Sequence, residues 1–378
     1  MTAPLRPASV AVVFGTRPEI VKLAPVIHAL GPAAFVIHTG QHYDEEMSDV
    51  FLAQHAVPDP AVWLTAGGRT RSGQVAHIID GLDRIFAERR LSAVVVQGDT
   101  NSTLAGALAA NAHNIPIVHV EAGLRSFDRA MPEEHNRVLT DHLADLLCAA
   151  TAGNVNNLLV EAIPQSRIHL TGNTVAQSVA AQLPAPMVQL DVVEGAGLQS
   201  NGYVLATLHR PENTDDPDVL RAILTELAHL PLPVALPLHP RTAAAAAAAG
   251  CADLLDQLRV LPPLPSSTFL ALAAHAAVLV SDSGGLQEEC TVLKRPLVVV
   301  RRSTERPESL TDFARLVSAG PEVGLEVRRI LGDHAALLAR LHQLPSPFGD
   351  EFAAARIVEG IAELVGRTVS PEGSLSRT

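Results

Sequence analysis

Short apolar runs alternate with amphipathic stretches along this chain. Val10–Phe14, Phe35–His38, Ala93–Gln97, Ile117–Val120 and Leu146–Ala150 are rich in Val, Ile and Ala and do not alternate polar with apolar residues. That is the pattern of strands buried on both faces of a parallel sheet. Between them, Glu19–Leu30, Gly73–Arg89, Thr103–Ala112 and Glu134–Ala144 carry helical periodicity. A βαβα order of this kind predicts a doubly wound sheet.

The pattern then restarts. Tyr203–Thr207, Val234–Leu238, Arg259–Leu261, Ala277–Ser281 and Leu297–Val300 predict strands of a second such sheet. Asp216–Leu230, Ser267–Ala274, Gly285–Leu293 and Glu326–Ile330 predict its helices. The stretch Gln182–Gln199, with Pro184, Pro186 and a Gly-Ala-Gly, is expected to be the linker. The fold class is therefore α/β, with two Rossmann-like doubly wound domains over residues 1–180 and 181–351. Seven consecutive alanines, Ala243–Ala249, predict one surface helix of the second domain. The Ser-, Gly- and Pro-containing tail from Thr368 is expected to fray.

Composition narrows the classes. The 378 residues are 47% hydrophobic and 18% charged, ample for packed cores. A net charge of -12 is not the footprint of a nucleic-acid binder. Cys148, Cys251 and Cys290 are too few and too scattered for a disulfide scaffold and read as small core residues in a reducing compartment. Met1–Ser9 lacks the apolar core of a signal peptide. The longest apolar run, Phe269–Val280, is short for a bilayer span and contains His275. A cytoplasmic protein without membrane or nucleic-acid partners is expected. No Walker loop, HExxH or dinucleotide fingerprint is present. None of the 16 histidines sits at close metal-ligand spacing with another His or Cys on a helix, so no metal is expected.

Polar residues gather where predicted strands end, the place where open α/β sheets bind ligands. After the first strand comes Gly15-Thr16-Arg17-Pro18-Glu19, with Lys22 one turn later. Thr16 and Pro18 suit a helix start. Arg17 does not, because a cation there opposes the helix dipole; with Lys22 it points to an anion. The next loops are Gln97–Asn101, His119–Arg125 and Pro132–Arg137. They offer Asp99, Glu121 and Glu133 at one rim. Several carboxylates in one place suit acid–base work, since their surroundings can push their pKa values apart. In the second sheet, Ser281-Asp282-Ser283-Gly284-Gly285 opens a helix whose backbone N–H groups suit a phosphate. Glu288 and Glu289 follow within reach of a ribose diol. His209–Asn213, His239–Arg241 and Thr304–Glu308 end further strands.

At these residues the chain resembles the non-hydrolysing UDP-N-acetylglucosamine 2-epimerases. The matching motifs are GTRPE with Lys22, GQH at Gly40–His42, GDT at Gly98–Thr100, HVEAGLRS at His119–Ser126 and MPEEHNR at Met131–Arg137. TGNTV at Thr171–Val175, LHRPEN at Leu208–Asn213, HPR at His239–Arg241, SDSGGLQEE at Ser281–Glu289 and TERPE at Thr304–Glu308 follow in family order.

The resemblance implies a GT-B-like fold with a UDP-sugar in the cleft between the domains, and a final helix, near Phe352–Val365, that returns to the first domain. It implies interconversion of UDP-N-acetylglucosamine and UDP-N-acetylmannosamine by elimination of UDP to a 2-acetamidoglucal and re-addition. Asp99, Glu121 and Glu133 then look like the acid–base set. His209 looks like support for the departing diphosphate, opposite Arg17 and Lys22. Ser283, Gly284, Gly285 and Arg306 look like diphosphate contacts, Glu289 like a ribose ligand, and His239 and Phe269 like further substrate contacts. No cofactor and a homodimer are expected. A 2-epimerase of a modified UDP-sugar, a hydrolysing relative and a GT-B glycosyltransferase would share many of these loops. The intact GTRPE loop favours UDP-N-acetylglucosamine.

Overall fold

Strand β1 (Val10–Phe14) sends alternate side chains into two different cores. Ala11 and Val13 pack with Ile78, Leu82 and Phe86 of the helix Arg71–Glu88. Val10, Val12 and Phe14 pack with Ile20, Leu23 and Ile27 of the helix Arg17–Leu30. All five strand residues are buried, as a strand with helices on both faces requires. The structure is a computed structural model that describes residues 5–41 and 51–369. It divides into one unit built from Met1–Ser178 and Phe348–Thr378 and another from Val179–Pro347.

The first unit holds a seven-stranded parallel sheet. Its other strands are β2 (Ala34–His38), β3 (Val62–Trp63), β4 (Ala93–Gln97), β5 (Ile117–Ala122), β6 (Leu146–Ala149) and β7 (Ile168–Leu170), in the order β3-β2-β1-β4-β5-β6-β7. The order reverses between β1 and β4, so the loops after these two strands diverge and leave the crevice that doubly wound sheets use for ligands. The closing helix Ala353–Val369 joins this unit. Ala354, Ile357 and Ile361 complete the core beside Val26 and Ile27.

The second unit holds β8 (Val204–Thr207), β9 (Val234–Pro237), β10 (Arg259–Leu261), β11 (Val278–Ser281), β12 (Leu297–Val300) and β13 (Ala314–Val317), also parallel, in the order β10-β9-β8-β11-β12-β13. Its reversal falls between β8 and β11. Leu220, Ile223, Leu224 and Leu227 line one face of the helix Pro217–Ala228 and fill the core with Val204, Val278 and Val298.

Three features depart from expectation. The stretch expected to be a linker holds the helix Pro186–Gly195, started by Pro186 and anchored through buried Gln189 and Val193. The short strands β3, β7 and β13 were not expected, because runs this brief carry little pattern. The alanine-rich helix begins earlier, at Pro240, and buries Thr242 and Ala246. The three cysteines are buried and unpaired. Among the described residues no helix is long and apolar enough to cross a membrane. His42 of the GQH motif and the tail from residue 370 lie outside the described residues.

Candidate active site

In the first unit the reversal between β1 and β4 is closed so tightly that only glycine fits after β1. A Cβ on Gly15 would lie 1.9 Å from Thr39 Oγ1 and 2.4 Å from Ser102 Oγ. Those two hydroxyls are themselves hydrogen-bonded at 2.7 Å. The next residues start the helix Arg17–Leu30, with Arg17 and Pro18 in its first turn. Arg17 lies over the Phe51 ring, 5.1 Å from its centroid.

Lys22, on the same helix, is buried and pairs with Glu121 at the end of β5. Glu121 is also held by Gln97 Nε2 and by Asn173 Nδ2, the latter at 2.9 Å. Its backbone has a φ of 68°, at the point where β5 slips register against β6. A non-glycine residue in this region is strained, and such strain clusters at functional sites. Gly98 faces it with a φ of 72°. Two left-handed residues thus stand on neighbouring strand ends, and a Cβ on Gly98 would lie 3.7 Å from Glu121 Oε2.

Asp99 follows Gly98 and is fixed from the helix Pro132–Leu143. Arg137 pairs with Asp99 on one side and with Glu134 on the other. Asn136 Nδ2 donates to the Asp99 carbonyl at 2.8 Å. The Asp99 side chain keeps 28% of its surface exposed, so a substrate can reach it. Glu133 and Glu134, adjacent in sequence, point differently. Glu133 is exposed at the helix start. Glu134 is buried and accepts from Ser126 N (3.0 Å), Ser126 Oγ (2.9 Å) and Phe127 N (2.9 Å). Burial would raise its pKa, but the Ser126 amide and then Arg137 hold it below the usual range. Glu134 therefore shapes the Ser126–Phe127 loop, and Glu133 is the carboxylate left to solvent.

Beneath this rim lies a buried network that the sequence did not single out. His119 places Nδ1 2.6 Å from Asp141 and Nε2 2.8 Å from the Gly98 carbonyl. Arg125 pairs with Asp141 at 2.8 Å and with Glu161 at 2.7 Å. It ties the β4 and β5 loops to the helix Pro132–Leu143.

Glu19 is the other residue missed. It is 1% exposed, lies at the reversal itself, and is pushed up to about 7 by burial against the lowering pull of its hydrogen bonds. It closes the GTRPE loop, but its partners Thr100 and Thr103 lie more than 80 residues away in sequence, so nothing local marks its role.

In the second unit the loops after β8 and β11 meet on Asp282, which is fully buried. Its carboxylate accepts from the amides of His209 (3.0 Å) and Arg210 (2.9 Å) and from Asn213 Nδ2 (3.1 Å). His209 Nδ1 sits 3.0 Å from it. Burial would raise the Asp282 pKa, but His209, first by hydrogen bond and then by charge, brings it below normal. The His209 side chain is 42% exposed. With Nδ1 on Asp282, its Nε2 is left for a ligand. The His239 ring lies 5.9 Å from it, and His239 caps the next helix through Nδ1.

Ser283 caps the helix Gly284–Leu293, whose first amides have no intrahelical acceptor. A Cβ on Gly284 would lie 3.0 Å from Arg306 Nη1, so glycine lets this arginine approach the helix start. Arg306 is buried and pairs with Glu288 and Glu305. Glu288 is thus turned to Arg306, while Glu289 Oε1 lies 3.8 Å from where a Gly285 Cβ would stand, beside the helix start. Among the described residues the Arg210 guanidinium makes no hydrogen bond, whereas that of Arg306 is committed to Glu288 and Glu305. Burial and the nearby Arg301 push the Arg210 pKa down, against the opposing pull of Glu305, Glu212 and Asp282. Phe269 is half-buried on the helix Ser266–His275. Among the described residues no group of His, Cys, Asp and Glu could hold a metal ion.

Two doubly wound units, one with carboxylates and one with anion-directed donors at its strand ends, define a GT-B-like α/β protein. Comparison with known proteins specifies which. The family model described as UDP-N-acetylglucosamine 2-epimerase matches residues 32–362, and the chain belongs to that family. It is 36% identical over 351 residues to the UDP-N-acetylglucosamine 2-epimerase of Methanococcus maripaludis, covering 90% of this chain and 94% of the relative. It is 34% identical over 366 residues to the UDP-2,3-diacetamido-2,3-dideoxy-D-glucuronate 2-epimerase of Pseudomonas aeruginosa, covering 93% and 99%. The solved Methanocaldococcus jannaschii UDP-GlcNAc 2-epimerase, in complex with UDP-GlcNAc and UDP, superposes with a TM-score of 0.82 at 35% identity, covering 93% of this chain and 98% of that one.

Proposed function

We propose that this protein interconverts UDP-N-acetylglucosamine and UDP-N-acetylmannosamine without releasing the sugar. The observation that carries the reading is the pair of strand-end sites. The first unit fixes Asp99 by Arg137 and Glu121 by Lys22 and a strained backbone, with Glu133 exposed at the start of the helix that carries Arg137, while the second offers His209, Arg210 and a helix start to an anion.

Inversion at C2 requires removal of a weakly acidic proton and delivery of one to the opposite face, which takes at least two acid–base groups. Asp99, Glu121 and Glu133 are the set we assign to it. Departure of UDP puts negative charge on the diphosphate, which preorganised donors must stabilise. We assign this to His209, with Arg17, Lys22, Arg210, Ser283, Gly284, Gly285 and Arg306 shaping the anion sites. Glu289 is assigned to the ribose, and His239 and Phe269 to the remainder of the nucleotide. Elimination and re-addition leave the overall oxidation level of the sugar unchanged, so the chemistry calls for no redox cofactor.

The test is incubation with UDP-N-acetylglucosamine in deuterated water. UDP-N-acetylmannosamine should accumulate, with deuterium at C2 of product and recovered substrate. Free N-acetylmannosamine with stoichiometric UDP would instead establish a hydrolysing enzyme. A second reading is favoured by the Pseudomonas aeruginosa relative, whose substrate is a diacetamido uronate. Turnover of that UDP-sugar in preference to UDP-N-acetylglucosamine would establish it. We also expect a homodimer, which sedimentation analysis would test.

A further inference from the structure

Glu19 is a buried carboxyl group with an uncommon set of neighbours. Oε2 accepts from the Gly15 amide at 3.0 Å and from Thr16 Oγ1 at 2.8 Å. Oε1 accepts from Thr100 Oγ1 at 2.8 Å and lies 3.3 Å from Thr103 Oγ1. One side chain therefore fastens the β1 loop to the β4 loop across the reversal of strand order. The first loop leads to Arg17 and Lys22, the second holds Asp99.

Three hydrogens reach the carboxyl, from the Gly15 amide and the Thr16 and Thr100 hydroxyls, and the fourth contact lacks one. Thr103 Oγ1 lies 2.6 Å from the Gln97 carbonyl, which can only accept, so its single hydrogen is committed there. The 3.3 Å contact between Thr103 and Glu19 then has a hydrogen only if the carboxyl supplies it. The partners of Glu19 in this clamp are a main-chain amide and three hydroxyls, all neutral. A buried carboxyl without a cationic partner is more stable protonated, and burial pushes Glu19 up to about 7. The charged or titratable groups on the adjoining elements are Arg17 over the Phe51 ring, Lys22 paired with Glu121 of β5, Asp99 paired with Arg137, and His38 of β2 beside Trp63.

We propose that Glu19 is a positioning residue for the epimerisation, locking the anion-binding loop to the Asp99 loop as a neutral carboxylic acid that donates from Oε1 to Thr103. Ionisation of Glu19 removes that hydrogen, loosens the clamp and lowers the rate by misplacing Asp99 relative to Lys22. This inference rests on the epimerase reading above.

The test compares wild type with Glu19→Gln and Glu19→Ala between pH 6 and pH 8.5. Glutamine keeps an oxygen toward Gly15 and Thr16 and a hydrogen toward Thr103; at Thr100 it donates where the acid accepts, and the Thr100 hydroxyl can turn its hydrogen to Thr103 Oγ1, 3.0 Å away. The expected result is a Gln variant with kcat within about threefold of wild type at pH 6 and without the wild-type decline through neutrality. The Ala variant should lose at least tenfold in kcat with a smaller change in KM, as expected for misplaced reacting groups. A Gln variant as impaired as Ala at pH 6 would overturn the inference. A second measurement does not depend on activity. In protein labelled with 13C at glutamate carboxyls, the resonance lost in the Gln variant should titrate near neutrality; a midpoint in the ordinary carboxylate range would also overturn it. Failure of wild type to turn over UDP-N-acetylglucosamine would count against the substrate reading, whereas the titration still judges Glu19.

Discussion

Asp282→Asn isolates how the second unit aims His209. The carboxylate receives two main-chain amides, the Asn213 side-chain amide and the ring nitrogen of His209. An asparagine of the same shape keeps one accepting oxygen and replaces the other with a donor. Its oxygen can stand in for Oδ2, which receives all three amides, so only the His209 Nδ1 contact at Oδ1 is lost; one unsatisfied donor costs about 1–3 kcal/mol, and a stability loss in that range is expected. The imidazole also loses the acceptor that fixes which nitrogen faces outward. If His209 supports the departing diphosphate, kcat should fall by about 10²-fold, or about 2.7 kcal/mol of barrier. The assay is conversion of UDP-N-acetylglucosamine under conditions where melting curves show the variant folded, with kcat and KM resolved separately. The pH dependence gives a second check. The Asp282 pKa is lowered in the folded protein, so its stabilisation is present above the unfolded carboxylate pKa and fades as pH falls into the acid range. Wild type should lose that increment on acidification, and the variant should not. An Asn variant with wild-type kcat and unchanged melting would refute the assigned roles of both residues.

Three further outcomes are expected. Gly15→Ala forces a methyl to within 1.9 Å of Thr39 Oγ1, so it should destabilise the protein by about 1–3 kcal/mol, measured by denaturant midpoint. Arg137→Met leaves Asp99 and Glu134 without their shared guanidinium; loss of one partner of a buried pair costs about 3–5 kcal/mol, and initial rates should fall at least tenfold, more than for Arg137→Lys. Glu19 is about 7 folded against 4.5 as its reference value. Between those values the unfolded chain releases a proton that the folded one keeps, so stability falls as pH rises, by up to about 3 kcal/mol. Melting curves of wild type should show this drift and those of Glu19→Gln should not.

The strands that form the centres of both sheets were legible because they are apolar on both faces. Val10–Phe14, Ala93–Gln97 and Leu297–Val300 have the expected bounds. The strands β3 and β7 were not, since a two- or three-residue edge has no period to detect. The helix Pro186–Gly195 was hidden by prolines that read as breakers but serve as a helix start. Loop polarity located the strand-end sites, yet it could not separate Glu133 from Glu134, because direction around a helix's first turn depends on what lies opposite it. Nor could it show that Arg306 and Glu288 face each other across 18 residues, or that Glu19 shares hydrogen bonds with Thr100 and Thr103. Each of these pairs is made by the fold and has no trace in local sequence.

The helix Ala353–Val369 carries a consequence for synthesis. It supplies Ala354, Ile357 and Ile361 to a core whose other members begin at Val10. During translation the second unit, continuous from Val179 to Pro347, can finish while the first still lacks a wall. The apolar side of the helix Arg17–Leu30, including Val26 and Ile27, stays open to solvent until residues 353–369 have been made. A nascent chain stalled near residue 350 would therefore present that surface to chaperones.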